Sequence, residues 1–184
     1  MEFRQLTNKD IEETLIKWEQ EAIQYDCFPD EVHQKFVPIQ ESIRNQPAGS
    51  YKSIYYGVFQ EGQNIAVALC DLVLSDKGMF GGKWLKLMKL TLSPEVDTLQ
   101  IKKQPEAISL VANAYKTAVL GAFAARNEHE ADTLKLYGRS EEQLTFLILL
   151  LTIINQDHSH ELSAQKEGRW LVLRSSAPNE GVSK

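Results

Sequence analysis

Residues 84–94 read WLKLMKLTLSP, residues 105–123 read PEAISLVANAYKTAVLGAF, and residues 133–137 read TLKLY. The first and third segments are rich in large apolar and aromatic residues, which is typical of strands. The second segment opens with a proline and repeats apolar residues at helical spacing over a wide face, which predicts a long helix packed flat on a sheet. A strand, a helix and a strand in this succession require a crossover connection. They therefore predict one parallel pair of strands inside an otherwise antiparallel sheet.

The segments before this crossover predict a strand, two helices and a meander. Glu2–Leu6 is a strand candidate, and Thr7 with Asp10 resembles a capping box that starts the first helix. A second helical region opens at Asp30, and Pro38 inside it predicts either a kink or two short helices. Three strands then form a meander with tight, glycine-containing connections, at residues 51–60, 65–75 and 84–92.

The segments after the crossover predict one more helix and a closing hairpin. Ser140-Glu141-Glu142-Gln143 is a capping box, so the apolar run that follows is predicted to be a buried helix over residues 141–155. His160–Gln165 and Arg169–Arg174 are predicted to pair around a glycine turn. The predicted order is β, α, α, β, β, β, α, β, α, β, β, with residues 94–105 as a loop. The fold class is α/β, with a mixed, mainly antiparallel central sheet flanked by helices.

Composition narrows the class of protein. The chain has 184 residues and a net charge of −5, and it has no basic block, so we expect no nucleic-acid partner. We expect one domain over residues 1–175 and a disordered tail over 176–184. The longest apolar run, Phe146–Ile154, is too short to cross a bilayer, and no signal peptide is visible, so we expect a soluble cytoplasmic protein with no membrane partner. Cys27 and Cys70 are predicted to be free thiols.

Three local segments carry a resemblance to a known family. Residues 3–10 (FRQLTNKD) are similar to its first strand and helix start, residues 90–95 (LTLSPE) to the end of its fourth strand, and residues 169–173 (RWLVL) to its closing strand. Together with the element order they resemble the GNAT superfamily of acyl-CoA N-acyltransferases. The resemblance implies a GNAT-like fold and an acyl transfer from acetyl-CoA or a related thioester to an amine.

The cofactor loop of that family is not visible in this chain. Family members carry a glycine-containing loop after the fourth strand, and its backbone N–H groups bind the pyrophosphate of coenzyme A. No glycine occurs here between Gly82 and Gly121, and Glu95 and Asp97 are acidic. Acetyl-CoA therefore stays a candidate donor, but not one held through its pyrophosphate in the family's manner. Lys102 and Lys103 are the candidate anion-binding residues, and the alternative is that both are simply exposed.

Two residues are candidates for the catalytic positions that the resemblance implies. Family members often place a carboxylate on the fourth or a neighbouring strand as the base, and a tyrosine on the following helix as the acid. Asp71, inside an apolar run, is the candidate proton acceptor, or else a solvated carboxylate at a bulge or an edge. Tyr137, at a strand end, is the candidate acid, or else an interface tyrosine with one hydrogen bond.

Other patterns leave the function open. His158 and His160 lie two residues apart, but no third ligand is evident, and we assign no metal site. Leu99 and Ile101 would mark a partner surface if they are not folded onto the body of the domain. Two functions remain: an atypical acyl-CoA-dependent N-acyltransferase, or a non-catalytic GNAT-fold module that binds a small molecule or a protein or forms a homo-oligomer.

Overall fold

The computed structural model describes residues 1–45, 51–77, 79, 81–101, 104–156 and 162–175. The described residues form seven strands and five helices in one chain order: β1 Glu2–Gln5, α1 Asn8–Gln24, α2 Pro29–Asn45, β2 Tyr51–Phe59, β3 Ala66–Asp76, β4 Lys83–Leu92, α3 Pro94–Ile101, α4 Pro105–Glu128, β5 Thr133–Tyr137, α5 Glu141–Gln156, β6 Leu162–Glu167 and β7 Trp170–Ser175. Lys102, Lys103, His158, His160 and the 176–184 tail lie outside the described residues.

All strands belong to a single mixed sheet. Its order is β1-β2-β3-β4-β5-β7-β6, and every neighbouring pair is antiparallel except β4 and β5. That parallel pair runs from Trp84↔Thr133 to Leu87↔Leu136, on either side of the α4 crossover. The predicted α/β class and the mixed, mainly antiparallel sheet are confirmed.

Two hydrophobic clusters cover the two faces of the sheet. On one face α1 and α2 pack through Trp18, Phe36 and their neighbours onto Leu69 of β3. On the other face α4 and α5 pack onto a cluster that includes Cys70 and Leu72. By length and composition α4 would also suit a membrane span, but in the structure its alanine-rich side is buried against the sheet. Cys27 and Cys70 are both free, as predicted.

The start of α1 confirms its predicted cap. The Thr7 hydroxyl accepts from the backbone N–H of Asp10, and the Asp10 carboxylate accepts from the backbone N–H of Thr7. Arg4 of β1 adds two hydrogen bonds to the same carboxylate, at 2.6 and 2.8 Å. These donors hold the pKa of Asp10 at about 2. The first strand is thereby tied to the first helix.

Two expectations about helix boundaries are wrong. Residues 94–101, predicted as part of a loop, form α3. Ser93, just before its first residue, stabilises the helix start, because its hydroxyl accepts from the backbone N–H of Val96 and its carbonyl from that of Asp97. The alternative of two short helices around Pro38 is also wrong, since α2 is one helix through that residue. Pro38 has no N–H to donate to the carbonyl of Gln34, but both residues are exposed, so this loss occurs where water is available.

Helix α5 is present as predicted, but only one side of it is buried. Leu144, Leu147, Leu150, Leu151 and Ile154 are buried against the sheet and α4. The opposite side leaves four large apolar residues exposed, namely Phe146, Ile148, Leu149 and Ile153. The Phe146 ring packs 5.0 Å from the ring of Tyr115 of α4, while Leu149 and Ile153 are more than half exposed. The predicted burial therefore holds for one side of the helix.

The two sides of α5 allow a matched test of the fold. Leu147 is 4% exposed and Leu149 is 59% exposed. Leu147→Asp should lower the free energy of unfolding by at least about 3 kcal/mol, because it places an unpaired charge in the core. Leu149→Asp, the control, should change it by less than about 0.5 kcal/mol. Chemical denaturation of the purified variants measures both, and a Leu147→Asp variant as stable as the control would contradict this packing.

Candidate active groove

The centre of the site is an irregularity in β4. Across the β3–β4 ladder Asp71 pairs with Lys89, and the next residue, Leu72, pairs with Leu87. Met88 is therefore an extra residue on β4, which makes a β-bulge. Pairing between β4 and β5 stops at the same level, at Leu87↔Leu136. Beyond the bulge β4 thus leaves β5, and a notch opens between two strands that are parallel neighbours below it.

Three adjoining pockets open around this point, and Lys89 lines all of them. The notch pocket, of about 230 Å³, lies between β4 and β5 and is lined by Tyr115, Tyr137 and Arg139 among others. The bridging pocket, of about 330 Å³, adds Lys35, Thr91 and Asp97. The α2 pocket, of about 380 Å³, lies between α2 and the sheet and contains Asp71 and Tyr55. We call the three together the central groove.

A row of polar side chains crosses the sheet at the α2 pocket. Tyr55 of β2 pairs with Asp71 of β3, which pairs with Lys89 of β4. Residues directly opposite one another in antiparallel strands point to the same face. Here that face is the one that α2 covers, and α2 contributes Gln34, Lys35 and Pro38 to the pocket wall.

The Asp71 carboxylate is poorly satisfied. Its Oδ1 atom is buried and accepts no hydrogen bond from the described residues. Burial raises the pKa of this carboxyl, although the charge of Lys89 opposes the shift. Burial, and then the Asp71 charge, also raises the pKa of the neighbouring Tyr55. The sequence alternative was a solvated carboxylate at a bulge or an edge. Asp71 does lie beside a bulge, but its carboxylate is not fully solvated.

Tyr137 is the other sequence-predicted candidate, and it lies elsewhere in the groove. It ends β5, its ring packs 5.0 Å from that of Trp170, and it lines the notch pocket. One strand, β4, separates it from Asp71. At the usual spacing of neighbouring strands their backbones are about 10 Å apart or more. The two residues therefore occupy two ends of one groove and do not contact each other.

Sequence reasoning missed Lys35, Lys89, Tyr115 and Arg139 as lining residues of this groove. The bulge that brings them together does have a signal in the sequence. Leucines alternate at positions 85 and 87 and again at 90 and 92, so their phase shifts by one residue at Met88. A phase shift within a strand indicates an extra residue, because the side-chain period of a strand is two.

Helix α3 occupies the segment where the family's phosphate-binding loop was expected. Its first turn carries Glu95 and Asp97. The backbone N–H of Glu95 donates to the carboxylate of Glu21, and the Tyr25 hydroxyl donates to the carboxylate of Glu95. An N–H at this helix start is thus already bonded to an acid. These residues do not fit a pyrophosphate group.

Metal binding finds no support in the described part of the chain. No group of three or more His, Cys, Asp or Glu side chains there is arranged to hold an ion.

Comparison with known proteins supports the fold. No family model matches the chain. No curated protein matches it significantly. Seventeen chains of solved structures do match. One, a crystal structure of a probable acetyltransferase, has a TM-score of 0.54 at 10% identity and covers 84% of this chain and 88% of its own.

The chain has a GNAT-like fold. A second similar structure, of a KacTA–DNA complex, has a TM-score of 0.41 at 14% identity and covers 77% of this chain and 78% of its own. At these identities the likeness concerns the fold, and activity must be argued from the groove.

The buried carboxylate gives a stability test that is independent of function. Because burial raises the pKa of Asp71 in the folded state, its ionised form disfavours folding, and this cost is absent below the carboxyl's ordinary pKa of 3.8. Asp71→Asn should therefore increase the free energy of unfolding at pH 7 by about 1 kcal/mol. The gain should shrink as the pH falls towards 4.

The control for this test is Asp76→Asn, at the exposed end of the same strand. Urea denaturation at several pH values measures both variants against the parent protein. A destabilising effect of Asp71→Asn at pH 7 would mean that the carboxylate has a favourable partner that this structure does not show.

Proposed function

We propose that this protein is an atypical GNAT-like N-acyltransferase, which moves an acyl group from a thioester such as an acyl-CoA to an amine. The observation that carries the proposal is the continuity of the central groove. Within the described residues, one end has a strand edge without a partner, and the other has a carboxylate whose buried Oδ1 atom has no hydrogen-bond donor. One end suits an extended thioester, and the other suits a group that must lose a proton.

The notch supports the donor half of this proposal. Residues 88–92 of β4 have no β5 partner in the described structure, so backbone N–H and C=O groups on that side are free to pair. An extended chain with amide groups, such as the pantetheine arm of coenzyme A, can add to such an edge as a further strand would. The thioester would then lie near the hydroxyl-bearing side chains of Tyr115 and Tyr137.

The described residues offer no comparable binding site for the nucleotide end of coenzyme A. Glu95 and Asp97 repel a pyrophosphate placed at the start of α3, and no glycine in the segment permits close backbone approach. Lys102 and Lys103 remain candidates for weak attraction of that end. We therefore expect the protein to recognise the donor mainly through its thioester arm, with affinity for acetyl-CoA weaker than low micromolar.

The chemistry can be assigned to residues of the groove. An amine arrives as an ammonium ion, and Asp71 accepts its proton directly or through one water. The neutral nitrogen attacks the thioester carbonyl and becomes positively charged, and the tetrahedral intermediate then loses the thiolate as the C–S bond breaks. Tyr137 in the notch is the candidate proton donor to the thiolate. The proton that the nitrogen releases as the amide forms passes through water and restores the Tyr137 hydroxyl. Because Asp71 and Tyr137 act on different atoms, their separation across β4 is compatible with these two roles.

A non-catalytic module is the second candidate, and two observations favour it. The acids of α3 stand where a GNAT enzyme needs phosphate-binding amides. The outer side of α5 exposes four large apolar side chains, of the kind that protein interfaces cover. This alternative predicts no turnover with any thioester and amine.

Thiol release measures the proposed reaction directly. The protein should release free thiol from acyl-CoA in the presence of a primary amine, and acyl thioesters of N-acetylcysteamine should serve almost as well, because they retain the thioester arm. Asp71→Asn should lower kcat/KM by about 10²-fold or more. Asp76→Asn should leave it unchanged.

The opposite results are equally clear. Full activity in Asp71→Asn would remove Asp71 from the mechanism. A complete lack of thiol release across acyl-CoAs, short thioesters and a broad panel of amines would favour the non-catalytic module.

A further inference from the structure

Three cationic side chains converge on the bridging pocket: Lys35 from α2, Lys89 from β4 and Arg139 from the segment after β5. In the described part of the chain, none of the three forms an ion pair with a carboxylate. Other lysines in or next to the sheet do form such pairs, for example Lys77 with Asp132 and Lys135 with Glu167. One acid, Asp97, faces the same pocket. The pocket therefore has an excess of positive charge.

Lys89 is the most enclosed of these cations. Burial lowers its pKa, and the neighbouring charges of Arg139 and Lys35 lower it further, whereas the charge of Asp71 opposes this shift. A lysine held among like charges in a desolvated place gains when an anion binds beside it. The bridging pocket is thus suited to a carboxylate or another small anion.

The adjoining α2 pocket adds two acids, Asp71 and Glu31, to the lysines Lys35 and Lys89 that it shares with the bridging pocket. Asp71 lies directly across the ladder from Lys89, and such opposed residues have Cβ atoms about 5 Å apart. Its Oδ1 atom needs a donor that the described residues do not supply. An ammonium group would satisfy this acceptor.

A hydrogen-bond acceptor, Asp71, and a hydrogen-bond donor, Lys89, therefore lie side by side as a directly opposed pair on β3 and β4. We propose that the groove binds a free amino acid as the acyl acceptor, with its ammonium group at Asp71 and its carboxylate at Lys89 and Lys35. The α2 pocket, at about 380 Å³, has room for the side chain as well. The role of the amino acid as acyl acceptor rests on the proposed function, whereas its binding does not depend on catalysis.

Calorimetric titration without any thioester tests the binding. The panel pairs each amino acid with its decarboxylated amine, for example tyrosine with tyramine and lysine with cadaverine, and with its N-acetylated form. At least one amino acid should bind about tenfold or more tightly than both of its partners, because the decarboxylated amine leaves Lys89 without a counter-ion and the N-acetylated form leaves Asp71 without one.

Three lysine variants test where the carboxylate of the bound amino acid lies. Lys89→Met should reduce the affinity for the amino acid about tenfold or more and leave that for the decarboxylated amine nearly unchanged. Lys35→Met, at an exposed position of α2, should act in the same direction and is safe for folding. Lys86→Met is the control, since Lys86 is on the same strand but lies over the rings of Trp84 and Trp170.

The outcomes separate this inference from the proposed function. Amino-acid binding with the stated preference but without thiol release supports the site and contradicts the enzyme. Thiol release with plain amines as good as amino acids supports the enzyme and overturns the inference. Equal affinity for an amino acid and its decarboxylated amine, or no binding of any amino acid at millimolar concentration, also overturns it.

Discussion

The insertion of one residue, Met88, into β4 is the constraint on which the rest of the site depends. Below it β4 hydrogen-bonds to both neighbours, and above it β4 keeps β3 and loses β5. A bulge bends its strand and increases the local twist, so β4 and β5 cannot stay in register past this point. The same insertion changes the phase of Lys89 relative to the residues before it. The notch, the free strand edge and the charged row therefore have one structural cause.

A comparison of Asp10 with Asp71 shows why Asp71 is a functional candidate. Asp10 is almost fully buried, but it accepts from Arg4 and from the hydroxyl and backbone N–H of Thr7, and its pKa falls to about 2. That acid stabilises the fold. Asp71 has a buried oxygen with no donor, and burial raises its pKa. An arrangement that costs stability, placed in a pocket between α2 and the sheet, is what a site that awaits a ligand requires.

Much of the fold was predictable because it depends on local signals. The capping box at Thr7, the strand–helix–strand succession around α4 and the glycine turns each fix an element without knowledge of its neighbours. The outcome for α3 differs because its short segment lies between Pro94 and Pro105 and carries the β-branched residues Val96, Thr98 and Ile101, which favour a loop over a helix when the sequence is considered alone. The exposed side of α5 was missed because an apolar helix predicts burial, while only the packed structure shows how much of it is covered.

The site was less predictable than the fold, since it is built from residues distant in sequence. Asp71 and Tyr137 were identified by residue type, but nothing in one sequence indicates that β4 separates them. Lys35, Lys89 and Arg139 are ordinary surface residues until the bulge brings them around one pocket. The phase shift of the leucines at Met88 was the available signal, and it predicts the bulge but not the charges that meet there.

Amide hydrogen exchange along β4, followed by NMR, tests the central claim most directly. In the free protein, amides of residues 84–87 should be protected, whereas within 88–92 those directed away from β3 should exchange rapidly because they lack a β5 partner. An acetyl thioester of pantetheine should then protect them selectively. Uniform protection across 84–92 in the free protein would show that β4 and β5 remain paired, and it would contradict the account of the groove.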